Sequence, residues 1–573
     1  MLFKGNPASG GIGIGEVYRF EPDEEKPLQG SITAVQVAEG LARYETVKQS
    51  VDIELGILID KLNREDPDQA KIFMAHQEIL HDESIEEEIR NGIAQSLLDP
   101  AWVIYSTYQK YGELLSRSKG EMFRERAQDI FDVRKRLLLA WHGKKAQGLD
   151  GLEKPVVIAC HDLLPSDTAT LDRSKVIAII TETGGDTSHS AIIARSYGIP
   201  ALLGVNGLMS TVRHGERVIV DAVNGELITG PTREQLAEYE QSRKRFLQYT
   251  AEVCEYLDKE PLTKDGVRVD IGLNIGSVAE YDLKQAAHAD FVGLFRTEFL
   301  YMASKQLPTE AEQYEAYKKA LETFKGRPVT LRTLDVGGDK TLPCMPLPQE
   351  ANPFLGKRAL RLCFDRPDLF KTQIRAAFRA SLHGNLWLML PMVSSMDDIY
   401  RAKDMMDKAG RELVNEGVPV GSNMKIGIMV EVPSIALVAD MVVKEVDFAS
   451  IGSNDLCQYL MAVDRMNPSL TTYYQSFHPA MFRLIGYIAE KFNTAGKPIS
   501  VCGELGGNPL AVPVLVGLGI RKLSMNASAM AGVKKVLSGI TIEFAQNLAQ
   551  KAQSLTTAHE VIGFLKSEIG DYV

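Results

Sequence analysis

One histidine stands in surroundings that would make it a nucleophile. The run Gly184-Gly185-Asp186-Thr187-Ser188-His189-Ser190 leads straight into AIIARSYGIP. The glycines permit a tight turn, and the hydroxyls of Thr187 and Ser188 can cap the helix that the next residues predict. His189 then falls at the helix N-terminus. The positive end of the helix dipole disfavours an imidazolium, keeps the ring neutral and nucleophilic, and favours a phosphate once one is attached. A lone histidine would read more simply as a capped, partly exposed side chain. The flanking Gly-Gly, the hydroxyls and Arg195 tip the reading towards a phosphate acceptor.

The second half of the chain carries groups suited to holding an anion. Arg296 lies in GLFRTEFL, Arg332 and Lys340 in LRTLDVGGDK, Arg358 in NPFLGKRALR and Arg465 in AVDRMNP. Guanidinium groups grip phosphate and carboxylate in a forked, bidentate way. A three-carbon substrate bearing both anions needs several such forks close together. Any single arginine could instead make a surface ion pair worth ~0–1 kcal/mol. Glu431 in IMVEVPS and Asp455 in IGSNDLCQYL offer the oxygen donors that Mg2+ prefers, and such an ion keeps waters and takes substrate phosphate oxygens. The same carboxylates could equally serve as ion-pair partners of the arginines. Asn454 would donate to a substrate oxygen. Cys502 in SVCGELGG is either a proton-handling thiol at a strand end or a small buried hydrophobe. A further acidic run, Asp82, Glu83, Glu86 and Glu87, lies in a helical stretch with Arg124, Arg126 and Arg134. Such a run is usually a solvated face.

These groups need a frame. Residues 33 to about 145 are nearly free of proline and glycine, and Ile72, Ala75, Ile79 and Leu80 recur at helical spacing. Breaks at Asp66-Pro67 and Asp99-Pro100 suggest a bundle of about four helices. Short β runs, PVVIAC, KVIAIIT, IPALLG and RVIVDA, fill residues 155–230. They predict a small α/β domain whose opening strand comes from the first 20 residues, with the helical stretch inserted. TREQLAEYEQSRKRFLQYTAEVCEYLDKE, residues 232–260, reads as a charged, solvated helical connector.

Eight apolar runs follow in order: VRVDIGLNI, DFVGLF, PVTLRTLD, LWLMLP, KIGIMV, DFASIG, PISVCG and KLSMN. Helical stretches separate them, which is the arithmetic of a (β/α)8 barrel. Six runs end in polar or charged residues: Arg296 and Glu298, Arg332 and Asp335, Glu431, Asn454 and Asp455, Cys502 and Glu504, and Asn526. Barrel chemistry is done at the C-terminal ends of strands, so this clustering argues for function.

The 573 residues are too many for one core. No apolar run is long enough to cross a bilayer, and the N-terminus MLFKGNPASGGIGIGEVYRF lacks an apolar signal core, so a cytoplasmic protein without membrane insertion is expected. The net charge of -11 opposes nonspecific nucleic-acid binding. The six cysteines form no CxxC pair, which excludes a disulfide framework or zinc knuckle.

GGDTSHSAIIAR resembles the phosphohistidine motif of Enzyme I, the phosphoenolpyruvate-protein phosphotransferase family of the bacterial sugar phosphotransferase system, and the likeness covers essentially the whole chain. The motif is shared more loosely with pyruvate phosphate dikinase and phosphoenolpyruvate synthase. Those enzymes need a large nucleotide-grasping domain, for which no segment here has the length. The resemblance implies that His189 becomes a tele-phosphohistidine, with Thr168 in LPSDT as its hydrogen-bond partner. It implies phosphoenolpyruvate as donor and pyruvate as product, bound by Arg296, Arg332, Lys340, Arg358, Asn454 and Arg465. Mg2+ would sit on Glu431 and Asp455, and Cys502 would be the proton donor to the methylene carbon. The small carrier HPr would dock on Asp82, Glu83, Glu86 and Glu87, with Arg126 of FRERAQDIFDVRKRLL near the transferred phosphate. Members dimerise through the barrel. The implied division is a phosphohistidine swivelling α/β domain (1–20 and 146–230), a helical HPr-binding domain (21–145), a helical linker (231–260) and a C-terminal (β/α)8 barrel for substrate and dimerisation (261–573). Asp186 departs from the basic or neutral residue common in the family, and Ser453 and Cys457 stand where threonines are usual.

Overall fold

Two short strands at the chain start close one sheet from both sides. β1 (Leu2–Lys4) and β2 (Asn6–Ser9) flank Gly5. β1 pairs antiparallel with β8 (Glu226–Thr229), while β2 pairs antiparallel with β6 (Ala201–Leu203) at the opposite edge. Between them run β3 (Ile12–Arg19), β4 (Val156–Cys160), β5 (Val176–Thr181) and β7 (Arg217–Asp221), in the order β1-β8-β7-β3-β4-β5-β6-β2. The β4 sequence VVIAC is apolar throughout because both sheet faces are covered. Val156, Ile158 and Cys160 enter one core cluster, and Val157 and Ala159 enter another. That is the two-residue period of a strand. The computed structural model describes residues 1–21, 26–65, 67–116, 121–143, 149, 152–164, 167, 171–184, 188–278, 283–302, 306–337, 344–345, 350–421 and 424–570.

Five helices lie between β3 and β4: α1 (Val37–Glu65), α2 (Pro67–Leu80), α3 (Glu83–Ala94), α4 (Pro100–Ser116) and α5 (Glu121–Trp141). The two prolines start helices as expected. The count exceeds the expected four because the chain also breaks at Asp82, whose Oδ1 accepts from the backbone N–H groups of Ser84 (3.0 Å) and Ile85 (3.1 Å). Neither proline nor glycine marks that break, only an N-cap aspartate. Ile85, Ile89 and Ile93 of α3 then meet Tyr44, Phe73, Tyr108 and Leu137 in the bundle core.

Helix α5 joins the bundle to the sheet. Lys135 Nζ lies 2.6 Å from Asp167 Oδ1, with both residues buried. Gln128 Nε2 donates to Asp162 Oδ2 at 2.6 Å. Beyond α6 (His189–Tyr197) and β8, helix α7 (Arg233–Cys254) leads out of a first compact unit, Met1–Tyr249, into a second, Thr250–Val573. The expectation that this connector is simply solvated needs correcting. Leu236 and Tyr239 pack on Ile14, Ile219 and Ile228 of the sheet, and the Tyr239 hydroxyl donates to Glu226. One apolar residue per turn escaped notice amid so many charges.

The second unit is a closed barrel of eight parallel strands. They are β9 (Asp270–Ile275), β10 (Phe291–Arg296), β11 (Val329–Arg332), β12 (Leu386–Leu390), β13 (Lys425–Val430), β14 (Phe448–Gly452), β15 (Ile499–Cys502) and β16 (Lys522–Met525). Each falls in one of the eight apolar runs. Alternate residues point inward, so Leu294, Trp387, Met389, Met429, Phe448 and Cys502 form one cluster inside the barrel. Among the described residues no helix is long and apolar enough to cross a membrane.

The Lys135–Asp167 pair gives a stability test. Burial raises the Asp167 carboxyl while Lys135 opposes that rise. Lys135→Met should cost ~3–5 kcal/mol at neutral pH, because a buried carboxylate loses its partner. A carboxyl whose folded pKa is raised above the unfolded value loses stability as pH rises. The penalty should therefore shrink in urea melts taken at lower pH and largely vanish in Lys135→Met/Asp167→Asn.

Candidate active site

The barrel brings the sequence-predicted groups to one end. Arg296, Arg332 and Cys502 are the last residues of β10, β11 and β15. Glu431 follows β13 directly, and Asn454 and Asp455 open the helix Ser453–Leu460 after β14. With Arg465 they line one cavity of about 320 Å3. The two-residue period explains the company they keep: Leu294 and Arg296 face inward together, as do Met429 and Glu431.

The cationic wall is held by acids behind it. Arg332, 5% exposed, has Nη1 at 2.9 Å from Asp335 Oδ2 and Nη2 on Glu298, while its buried Nε has no hydrogen-bond partner among the described residues. Burial, with the positive charge of Arg332 beside it and Arg465 near, pushes the Arg296 guanidinium below its usual range. A bound anion would relieve that tension. Arg465 Nε is also buried without a hydrogen-bond partner. Arg358 is placed differently: it is 1% exposed and does not line the cavity. Its Nη2 meets both oxygens of Asp335 (2.9 and 3.1 Å) and comes 3.5 Å from Asp455 Oδ2. It supports the wall from behind.

Glu431 and Asp455 are two of the five carboxylates that line the cavity among the described residues, the others being Glu298, Asp335 and Glu504. Glu431 Oε1 accepts from the backbone N–H of Met392 at 2.6 Å. Met392 holds φ at 54°, a left-handed conformation costly for its type. Glu431 Oε2 lies where a Cβ on Gly452 would approach it to 2.9 Å, so only glycine leaves that oxygen its place. Asp455 Oδ1 is buried without a hydrogen-bond partner among the described residues, with Arg465 Nη2 3.7 Å away. Burial, with Asp455 and Asp335 beside it, pushes the Glu431 carboxyl well above the ordinary carboxylate range. Among the described residues no group of three or more His, Cys, Asp or Glu forms a protein-only metal cage. Two oxygen donors with an orphaned oxygen suit a hard divalent cation that keeps waters and takes substrate oxygens.

The Cys502 thiol is 3% exposed, and burial lifts its pKa to about 11. A thiol raised that far stays protonated at neutral pH.

In the first unit His189 is the first residue of α6. Ser188 is the N-cap, its Oγ accepting from Ala191 N at 3.3 Å. Ser190 Oγ donates to Asp162, the same carboxylate that Gln128 of α5 reaches. Arg195 Nε donates to the carbonyl of Ala8 and so ties α6 to β2. Thr168, Lys340, Asp186 and the side chains of His189 and Arg124 lie outside the described residues. The acidic run divides. Asp82 caps α3, and Glu86 is paired with Lys48 (2.6 Å) and Arg90 (3.0 Å). Glu83 and Glu87 are exposed, as is Arg126.

Comparison with known proteins follows the same division. Residues 4–126 match the model for the PEP-utilising enzyme N-terminal domain, 152–225 the mobile domain and 250–542 the PEP-binding domain. The phosphoenolpyruvate-protein phosphotransferases of Bacillus sp. (strain S) and Geobacillus stearothermophilus are each 40% identical over 563 residues, 98% of this chain and 97% of theirs. That of Bacillus subtilis (strain 168) is 39% identical over 572 residues, 98% of this chain and 99% of its own. The chain belongs to this family. The phosphoenolpyruvate-protein phosphotransferases are transferases, and the likeness spans both units.

Sequence reasoning noticed Glu298, Asp335 and Glu504 only as strand-end charges. In the structure Glu298 and Asp335 hold the arginines, and Glu504 receives the Asn454 amide at 3.3 Å. Asp335 stands three residues after Arg332, a spacing that could have signalled the pairing. Met392 left no signal at all, because its contribution is a backbone N–H.

The buried thiol can be tested by alkylation. Iodoacetamide at neutral pH should label exposed Cys254 and spare Cys502. Labelling of Cys502, followed by peptide mass spectrometry, should rise only as pH approaches about 11. Equal labelling of both thiols at neutral pH would show that Cys502 is not the buried acid described here.

Proposed function

We propose that this chain takes the phosphoryl group of phosphoenolpyruvate onto His189 and passes it to a histidine of the carrier HPr, the first step of the sugar phosphotransferase system. The observation that carries this reading is the barrel cavity, where guanidinium groups, the Glu431 and Asp455 carboxylates and a protonated thiol share about 320 Å3. Arg296, Arg332 and Arg465 fork the phosphate and carboxylate of the donor, Lys340 is a further substrate ligand, and Asn454 donates to a substrate oxygen. Arg358 acts through Asp335 and Asp455, which it keeps in place.

The imidazole of His189 attacks phosphorus in line, and the bond from phosphorus to the enol oxygen breaks. The electron pair leaves with enolpyruvate. Cys502 gives its proton to C3, pyruvate forms, and the thiol recovers a proton from solvent. Mg2+ on Glu431 and Asp455 would neutralise charge on the phosphoryl group as it moves. Covalent connection through α7 keeps His189 at high effective concentration for the cavity. Thr168 then hydrogen-bonds the tele-phosphohistidine. HPr approaches exposed Glu83 and Glu87 with a basic face and meets Arg126 near the phosphate. Asp82 and Glu86, already engaged, contribute mainly to the field around them.

We further propose a homodimer formed through the barrel and a cytoplasmic site of action, which six free cysteines suit.

Labelled phosphoenolpyruvate, divalent metal and candidate carriers test the reading together. The chain should gain one acid-labile label and hand it to HPr. His189→Ala should take no label yet still bind donor at the barrel, and normal labelling of that variant would refute the assignment. Glu431→Ala and Asp455→Ala should each lower turnover by at least ~10²-fold. Because Glu431 must shed its proton to bind a cation, Mg2+ affinity should rise with pH through neutrality, and isothermal titration should record proton release.

A fragment of residues 1–249, the first compact unit, should exchange phosphate with phosphorylated HPr. It should take none from phosphoenolpyruvate, since every proposed donor ligand lies in the barrel. Self-labelling by this fragment would place the donor site in the wrong unit.

A further inference from the structure

Phosphoenolpyruvate carries two anionic groups and one group that neither donates nor accepts a hydrogen bond, the C3 methylene. The cavity has the same asymmetry. Arg296, Arg332 and Arg465 line it, and so do Leu294 and Met429, which are 4% and 2% exposed and belong with Cys502 to one cluster inside the barrel. Charged and apolar linings meet where Met429 Sδ lies 3.9 Å from Arg332 Nη1. Gly452 fixes where the thioether sits. A Cβ there would come within 3.0 Å of Met429 Cγ and Sδ, beside its clash with Glu431. Phe299, another apolar lining residue, is 44% exposed and belongs to the rim.

Resting on the function proposed above, we infer that Leu294 and Met429 determine donor specificity: they receive an unsubstituted methylene and exclude enol phosphates that carry a substituent on C3. With phosphate and carboxylate both gripped by guanidinium groups, a three-carbon donor has no freedom to slide. A methyl group on C3 would be driven into a close-packed wall, where added volume forces neighbours off their rotamers. A charged substituent would lose its water against a thioether and a leucine that return no hydrogen bond. The same wall carries the Cys502 thiol. A carbon seated against Leu294 and Met429 is thereby on the side from which its proton is delivered.

The test compares phosphoenolpyruvate with its homologue bearing one methyl on C3, reading kcat/KM for His189 labelling with both donors on the same enzyme preparation. Any unfolded fraction cancels in the ratio. The unaltered chain should prefer phosphoenolpyruvate by about 10–200-fold, the range one carbon commands in an apolar pocket. Met429→Ala should lower that preference at least about tenfold, and the milder Leu294→Val at least about threefold. Equal use of both donors by the unaltered chain, or an unchanged preference in both variants, would overturn the inference. Failure of phosphoenolpyruvate itself to label the unaltered chain would instead remove the reading on which it rests.

Discussion

Everything at the barrel mouth depends on burying opposite charges together. Arg332 and Arg358 are 5% and 1% exposed, and neither could be there unpaired. Asp335 solves this for both, accepting from Arg358 with two oxygens and standing 2.9 Å from Arg332. Glu298 takes the other end of Arg332. Pairing of this kind adds little net stability over an apolar wall of equal volume. What it does is hold guanidinium groups rigid and dry beside the cavity where the proposed donor would place its anions. Arg296 lies outside these pairings as a strand end lining the cavity, its charge disfavoured by burial and by Arg332 beside it.

Much of this frame was legible in the sequence. Eight apolar runs became eight strands because a parallel barrel strand is buried on both faces and cannot hide among polar residues. Strand-end residues Arg296, Arg332, Glu431, Asp455 and Cys502 meet because the barrel brings all C-terminal ends to one rim. What stayed illegible depended on third dimensions of the packing. Arg358 carries a motif like that of a ligand, yet its side chain pairs with Asp335 and is not among the residues lining the cavity. Met392 acts through backbone, which residue identity does not encode. The break at Asp82 was missed because the rule sought was proline or glycine, while this helix start relies on a side-chain cap.

Helix α5 has a part that composition does not announce. Its polar residues read as a solvated face, but Gln128 and Lys135 are spent on Asp162 and Asp167 of the α/β part. Asp162 also takes the hydroxyl of Ser190, next to His189. The helix that presents Arg126 is thus fastened, through one shared carboxylate, to the segment that presents the histidine. In the proposed function, these hydrogen bonds would hold together the two sides of the transfer.

The pairing of the first strands has a consequence for how the chain acquires its shape. β1 and β2 are made first, yet their partners β8 and β6 end at Thr229 and Leu203. During synthesis the sheet cannot close until the roughly 195 residues between β2 and β6 and the roughly 220 between β1 and β8 have emerged, and long-range pairings of that kind form slowly. The helical insert, with its own core of Tyr44, Phe73 and Tyr108, needs only local contacts and can collapse while the ribosome is still at work. The N-terminal strands would then wait, edges open, beside a finished bundle.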